Sequence, residues 1–155
     1  MQKLDSLNQV AEFHQTFGAP ILPNPSIPST ERCALRVSLL QEELDELKEA
    51  IAAHDLVEIA DALCDLQYVL SGAVLEFGLG DRFVDLFNEV QRSNMSKACQ
   101  SLEEAEYTVK FYHDKDGTEA EIKEENGLWK VYRKSDNKVL KSINYSPADL
   151  VSLLK

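Results

Sequence analysis

The residues best placed to do chemistry in this chain are carboxylates. Glu42-Glu43-Leu44-Asp45-Glu46 falls inside a helical pattern whose apolar stripe is Leu40, Leu44, Leu47 and Ile51. At about 100° per residue, Glu43 sits on the shoulder of that stripe, Glu46 lies one turn along beside it, and Glu42 points further round. Like charges at that spacing repel mildly when solvated and severely when enclosed, so an enclosed pair calls for a cation. A second helical pattern supplies a matching face. Glu58, Asp61, Asp65, Tyr68 and Gly72 recur at i, i+3, i+7, i+10 and i+14, opposite Leu56, Ile59, Leu63, Leu66 and Leu70. Tyr68, Val69, Gly72 and Leu75 turn that side apolar toward its end, and a helix apolar on both sides is a buried one. Asp61 and Asp65 therefore lie where the face passes from wet to buried. Two antiparallel helices joined by a short turn near His54 would converge Glu43 and Glu46 on Asp61 and Asp65. Oxygen-only donors suit Mg²⁺ or Mn²⁺, not zinc. An acidic run is also commonly a solvated helix face, and spacing alone does not decide between the two.

The elements that must position these groups are legible from punctuation. Leu4, Leu7, Val10, Ala11 and Phe17 have helical spacing, with His14 on the same stripe and Gly18 as the stop. Pro20, Pro23, Pro25 and Pro28 make residues 19–29 an extended connector. Ser29 or Thr30 then caps a long helix to about Ala53, and Asp55 caps another running to about Gly78. Gly78-Leu79-Gly80 breaks it, and a fourth helix is expected from about Asp81 to Cys99. Beyond Cys99 the character changes. Ser101-Leu102-Glu103-Glu104 fits a capping box for a helix to about His113. Runs at 119–123, 128–133 and 138–143, separated by Asn126-Gly127 and Ser135-Asp136-Asn137, read as a three-stranded meander. Ser146 and Pro147 suit the N-cap and first position of a terminal helix. The expected fold is mainly α: a helical bundle with a small C-terminal three-stranded β-meander. Its expected organisation is a helical catalytic core over 1–100, a helix-plus-meander appendage over 101–144 and a C-terminal helix over 145–155.

A chain of 155 residues can bury roughly 68–70% of its unfolded surface, enough to fold without a disulfide or structural metal. With 16 Lys+Arg against 27 Asp+Glu and a net charge of −11, it lacks the basic footprint of a duplex nucleic-acid binder. A small polyanion remains compatible, provided divalent cations mediate the contact. Cys33, Cys64 and Cys99 are odd in number and lack any CxxC spacing, which fits reduced thiols, with Cys64 in or near the core. No run approaches 18 apolar residues and the N-terminus lacks an apolar h-region, so a soluble cytoplasmic protein without membrane contact is expected. Walker A, GxSxG, HExxH and GxGxxG patterns are absent, which disfavours P-loop, serine and zinc chemistry.

Several segments together carry a resemblance. They are Phe13-His14-x-x-Phe17-Gly18, Glu42-Glu43-x-x-Glu46, Asp61-Ala62-Leu63-x-Asp65-Leu66-x-Tyr68-Val69, Glu89-Val90-x-Arg92-Ser93-Asn94-Met95-Ser96-Lys97 and Tyr145-x-Pro147-Ala148-Asp149-Leu150. The combination, over roughly residues 4–100 plus the last helix, resembles the MazG-like all-α NTP pyrophosphohydrolases. That superfamily includes the dimeric dUTPases and phosphoribosyl-ATP pyrophosphatase. The resemblance implies Mg²⁺-dependent hydrolysis of a nucleoside triphosphate to the monophosphate and pyrophosphate, in nucleotide-pool sanitation, with Mn²⁺ as a substitute ion. Glu43, Glu46 and Asp65 would be metal ligands, and Glu42 would hold a second ion or act as general base. Arg92, Asn94 and Lys97 would contact phosphates, and the His14/Phe17 face, with Tyr68, would help form a nucleoside pocket.

The usual second motif is Glu, two residues, then Asp, leading into Leu-x-aromatic. Asp65-Leu66-Gln67-Tyr68 fits its end but puts Ala62 in the Glu slot, whereas Glu58-Ile59-Ala60-Asp61 fits the letters without the aromatic. The first register is favoured, with Asp61 standing in from one residue earlier and Glu58 at the edge. His14 divides between base stacking and core packing, Tyr68 between pocket wall and core, and Arg92 between phosphate contact and a solvated helix end. Helices apolar on both sides need more cover than the short elements provide. The family's bundle is completed by a second subunit, so a homodimer or a dimer of dimers is expected. The nucleobase is not named by the sequence. Phosphoribosyl-ATP is least favoured, because the Phe-His and Ser-Asn-Met-Ser-Lys segments look more like the dimeric dNTP enzymes. The alternatives from another class are a nucleotide sensor without turnover and a helical interaction module.

Overall fold

A computed structural model of the protein describes residues 4–155. Its elements are α1 (Ser6–Phe17), α2 (Thr30–Ala53), α3 (Leu56–Glu76), a single 3₁₀ turn (Gly80–Arg82), α4 (Phe83–Met95), α5 (Leu102–Asp116), β1 (Ala120–Glu125), β2 (Leu128–Arg133) and α6 (Leu150–Leu153). They pack as two compact units, one ending at Phe83 and one spanning Val84–Lys155. The helix expected as the fourth of the core thus packs with the C-terminal residues. No single helix among the described residues is long and apolar enough to cross a membrane.

In the N-terminal unit the capping chemistry fixes the helix ends. Ser29 accepts a hydrogen bond from the Arg32 amide at the start of α2. His54, left-handed at φ 54°, closes α2, and the Asp55 carboxylate accepts from Val57 and Glu58 to open α3. Two residues between helices leave no option but an antiparallel hairpin, and α1 packs against α3 beside it. The proline-rich connector runs back along the end of α3, donating from Leu22 to the Leu75 carbonyl (3.0 Å) and from Ser26 to that of Phe77 (3.0 Å). Gly78 permits this close passage. It sits at φ 67°, and a Cβ there would lie 1.9 Å from the Asn24 carbonyl oxygen.

Three helices are tied together by a buried ionic group. Glu76 is 1% exposed and accepts hydrogen bonds from both Arg32 and Arg36. Burial alone would raise its pKa, but the bonds from Arg36 and Arg32 outweigh that and hold it below the usual carboxylate value. His14 of α1 lies against Arg36. Its Nδ1 faces the Pro20 carbonyl oxygen at 2.8 Å, which requires Nδ1 to donate, so Nε2 is left to accept from Arg36 Nη2 at 3.3 Å. Gly72 makes room: a Cβ there would meet Arg36 Nη1 at 2.7 Å and His14 Nε2 at 3.0 Å.

The C-terminal unit has a core of Cys99, Ala105, Val131 and Leu140, packed by Val109, Tyr112, Ala120, Ile122 and Trp129. Ser101 caps α5 by accepting from the Glu104 amide, as the capping box requires. Strands β1 and β2 pair from Ala120↔Arg133 to Glu125↔Leu128, and Asn126 and Gly127 both take positive φ in the tight turn. The sheet has two strands, which corrects the three-stranded meander. Residues 138–143 make a single bridge, Tyr132↔Val139, and then turn to other partners. The Ser142 amide donates to the Lys97 carbonyl, the Ser142 hydroxyl to Glu104, and the Ile143 amide to Thr108 Oγ1. These bonds replace the ladder a third strand would have made.

The last helix is likewise shorter than expected. The Ser146 amide donates to Ser96 Oγ, its hydroxyl and the Pro147 carbonyl accept from Arg92, and Asp149 becomes the N-cap of α6. Cys64, expected in or near the core, is exposed.

Replacing Glu76 by Gln leaves the buried Arg36 guanidinium, and the partly exposed Arg32 beside it, facing a neutral amide, which should cost about 3–5 kcal/mol. Urea unfolding followed by circular dichroism measures it; an E76Q protein as stable as wild type would mean the ion group does not hold the helices.

Candidate carboxylate site

The register of the α2–α3 hairpin follows from the buried ion group. With Arg32 and Arg36 on Glu76, and Arg36 beside Gly72, each step along α2 is answered by a step back along α3. Seven residues beyond Arg36 is Glu43, and seven before Gly72 is Asp65, two turns or about 10 Å along the same seam. The electrostatics agree with that register. The Glu43 carboxyl is half-buried and its pKa is raised above the ordinary 4.5, first by burial, then by the charges of Asp65, Glu46, Glu42 and Asp61. The charges of four carboxylates from the two helices thus act on that of Glu43. Asp65 is half-buried, and Glu42, Glu46 and Asp61 are exposed. Lys48, the one lysine of α2, pairs with Asp45 (2.7 Å) and not with the cluster.

This arrangement bears on the two registers of the second motif. Asp61 and Asp65 both act on Glu43, Ala62 is buried at 3% exposure, and Glu58 stands exposed in the first turn of α3. Asp65 and, one turn before it, Asp61 are thus the acidic residues of α3 whose charges act on Glu43. Among the described residues, no three His, Cys, Asp or Glu side chains already stand in a coordinating arrangement. Bare carboxylates repel and splay, so that is the arrangement their charge favours. The donor set still fits a hard divalent cation: all oxygen, strongly anionic, and with one carboxyl whose perturbation comes from its acidic neighbours.

Beside Asp65, one turn along α3, Tyr68 packs edge-on against Phe13 of α1 at 5.6 Å between ring centres, and Phe13 packs on Phe17 at 4.5 Å. Phe17 is 70% exposed, so this aromatic group offers an open face. Phe13 is its centre. The sequence places Phe13 in the Phe13-His14-x-x-Phe17-Gly18 segment but singles out His14 and Phe17 for the pocket, although Phe13 and Phe17 at i and i+4 share a helix face. His14 points the other way, 3% exposed with both ring nitrogens engaged, which is the packing arm of the two readings left open for it.

In the C-terminal unit, Arg92 is held by both oxygens of Glu89 (2.7 Å each) and also donates to Ser146 and Pro147. Those bonds, with one from the Asp149 amide, pull the Glu89 pKa down to about 2. Lys97 Nζ donates to Asn94 Oδ1 at 2.7 Å. These three sequence-predicted residues are thus engaged within their own unit.

The acidic hairpin, with an aromatic face one turn from its carboxylates, lies within the segment that matches a known family. The family described as phosphoribosyl-ATP pyrophosphohydrolase matches residues 10–94, and the chain belongs to it, within the MazG-like all-α NTP pyrophosphohydrolase superfamily. The chain is also similar to an uncharacterised protein of Acanthamoeba polyphaga mimivirus, 33% identical over 82 residues. The matched segment is 50% of this chain but only 33% of that relative's length.

Because the raised Glu43 pKa means that the folded state binds this proton more tightly than the unfolded chain, the stability it carries is present at low pH and lost as pH rises through the raised value. Glu43→Gln removes that loss. In EDTA at pH 7 its Tm should exceed the wild type's by roughly 1–4 °C, with the gain shrinking below pH 4. Differential scanning calorimetry across pH would show it; a lower Tm at pH 7 would mean Glu43 is not crowded by like charge.

Proposed function

We propose that the chain is a Mg²⁺-dependent nucleoside triphosphate pyrophosphohydrolase, converting a (d)NTP and water into the (d)NMP and pyrophosphate in the cytoplasm. The observation that carries this reading is the meeting of Glu42, Glu46, Asp61 and Asp65 around Glu43 in a chain of the pyrophosphohydrolase family. Glu43, Glu46, Asp61 and Asp65 would hold the ion, Mg²⁺ or its substitute Mn²⁺. A bound divalent cation supplies Lewis-acid neutralisation of the phosphate oxygens, without which a triphosphate of about four negative charges is repelled by the carboxylates. Glu42, exposed at the edge of the group, is the general base. It takes a proton from the attacking water as the water oxygen bonds to the α-phosphorus. The bond from that phosphorus to the bridging oxygen breaks, and the electron pair leaves with pyrophosphate.

Tyr68, Phe17 and Phe13 are a stacking face for a nucleobase, with His14 supporting α1 from within. Arg92, Asn94 and Lys97 are the candidate phosphate contacts, Arg92 already half-neutralised by Glu89. The family's name specifies phosphoribosyl-ATP, whose triphosphate carries the same scissile bond, so it belongs in any substrate panel.

The assembly that goes with this reading is a homodimer. Val37, Ile51, Leu56, Val57 and Leu63 on α2 and α3 are 68%, 53%, 77%, 75% and 51% exposed, more apolar surface on one hairpin than a solvated face carries. Sedimentation equilibrium at micromolar concentration should give twice the 17.5 kDa chain mass or a multiple of it; a concentration-independent monomer would contradict the assembly.

Turnover is tested by incubating each NTP and dNTP, and phosphoribosyl-ATP, with Mg²⁺ and separating the products by chromatography. Monophosphate plus pyrophosphate from at least one substrate, abolished by EDTA, is expected. Glu43→Ala and Glu46→Ala should each lower kcat at least about 100-fold with circular dichroism unchanged. Release of orthophosphate in place of pyrophosphate, or full activity in those variants, would overturn the reading.

A further inference from the structure

We propose that β1 is a docking edge for β1 of a second copy, so that two hairpins join into one continuous antiparallel sheet. The proposal concerns the C-terminal unit alone and does not rest on the pyrophosphohydrolase reading. The Lys134 amide donates to the Glu119 carbonyl (2.9 Å) in the pair just outside the ladder. Antiparallel pairs alternate between bonded and non-bonded, so β1 commits the amides and carbonyls of Glu121, Lys123 and Glu125 to β2. Those of Ala120, Ile122 and Glu124 point the other way. The far edge of β2 shows the same alternation from its own side. Arg133 donates to the Lys138 carbonyl (2.8 Å), Val131 accepts from the Leu140 amide (2.8 Å), and Trp129 exchanges bonds with Cys99 (2.8 and 3.0 Å).

The two edges of the hairpin are therefore unlike. That of β2 is occupied by Cys99 and residues 138–140, whereas that of β1 has no backbone partner among the described residues. An open edge of this kind is a template for another strand. Of the devices that blunt such edges, β1 carries one lysine. Its register runs unbroken from Ala120 to Glu125, with no bulge and no proline. Ala120 and Ile122 pack on the hydrophobic core of the unit, so Glu121 and Lys123 lie on the opposite face. There they pair with each other at 2.5 Å, and Lys123 Nζ stands 5.0 Å from the centre of the Tyr132 ring.

Charge selects the occupant and its register. Bonded pairs between two copies form only between outward residues, so the register moves in steps of two residues. With Ile122 opposite Ile122 of the second copy, Ala120 faces Glu124, and every outward amide and carbonyl finds a mate. The intervening non-bonded pairs, where side chains stand closest, are then Glu121 against Lys123 on both sides of the two-fold axis. One step either way sets Glu121 against Glu121, or Lys123 against Lys123, at that axis. The lysine thus fixes which strand the edge accepts. A strand of the same sequence, laid antiparallel, satisfies it. β1 lies beyond the residues that match the family, and in the other unit from the apolar surface of α2 and α3.

Sedimentation equilibrium of the full chain at micromolar concentration tests this, with circular dichroism confirming that each variant is folded. Glu124→Pro removes an outward amide and no bond to β2, so it should halve the mass of the wild-type assembly and lower the association constant at least about tenfold. A Glu124→Pro protein that falls to a dimer keeps the α2–α3 assembly and one that falls to a monomer removes it; either result supports the edge. Lys123→Glu and Glu121→Lys, which put like charges opposite each other, should each weaken association by about tenfold. An equimolar mixture of those two variants should return to within about threefold of wild type, because two acids of one copy then face two lysines of the other. Variants that only disturbed their own hairpin would not rescue one another. A monomeric wild type, a mass unmoved by Glu124→Pro in a folded protein, or a mixture that associates no better than its components would each overturn the interface and leave the edge to an extended segment of another protein.

Discussion

Repulsion between α2 and α3 is the constraint that the N-terminal unit has to meet. Glu43 and the four carboxylates that act on it push the two helices apart along the seam where their apolar stripes need to close. The hairpin is held on either side of them. At one end the His54–Asp55 link leaves no slack, with Asp55 capping α3 and the His54 amide returning to α2. At the other, Arg32 and Arg36 clamp the buried Glu76, and His14 and Gly72 complete the packing. Glu43 lies about 10 Å from the second anchor, far enough to remain acidic and near enough to be positioned. A buried triad of two arginines and one carboxylate also carries surplus positive charge on the same seam, of the sign that tempers the acidic group.

The same logic explains what was legible in the sequence. Helix starts written in local side-chain chemistry were readable: Ser29, Asp55 and Ser101 stand where capping requires them. The convergence of Glu43 with Asp61 and Asp65 was readable too, because it depends only on helical periodicity and a short turn. Features whose partners lie far along the chain were not. Residues 138–143 have the composition of a strand, but Lys97, Glu104 and Thr108 take their hydrogen bonds. Ser146-Pro147 has the letters of a helix start, yet Ser96 and Arg92 claim its polar groups. Glu76 carried one local signal, a lone acid in an apolar run, but nothing near it in sequence named Arg32 and Arg36 as partners.

Membership of the phosphoribosyl-ATP pyrophosphohydrolase family constrains the reaction more than the substrate. In the proposed reaction the carboxylates would bear on the bond to be broken, and the aromatic face of Phe13, Phe17 and Tyr68 on what is attached to it. The family match ends at residue 94, so the β hairpin and the residues that pack on it lie outside the matched part. They fold around a core of their own, with Cys99, Ala105, Val131 and Leu140 at its centre.

The carboxylates around Glu43 are proposed to hold a divalent cation. The direct measurement is Mn²⁺ binding to the full chain, followed by electron paramagnetic resonance of the free ion, for wild type, Glu43→Gln, Asp65→Asn and Glu58→Gln. Saturable binding by wild type, weakened at least about tenfold by Glu43→Gln and Asp65→Asn and unchanged by Glu58→Gln, is the expected result. Binding that survives the loss of both Glu43 and Asp65, or no binding at all, would reduce the acidic seam to a solvated face and contradict the account.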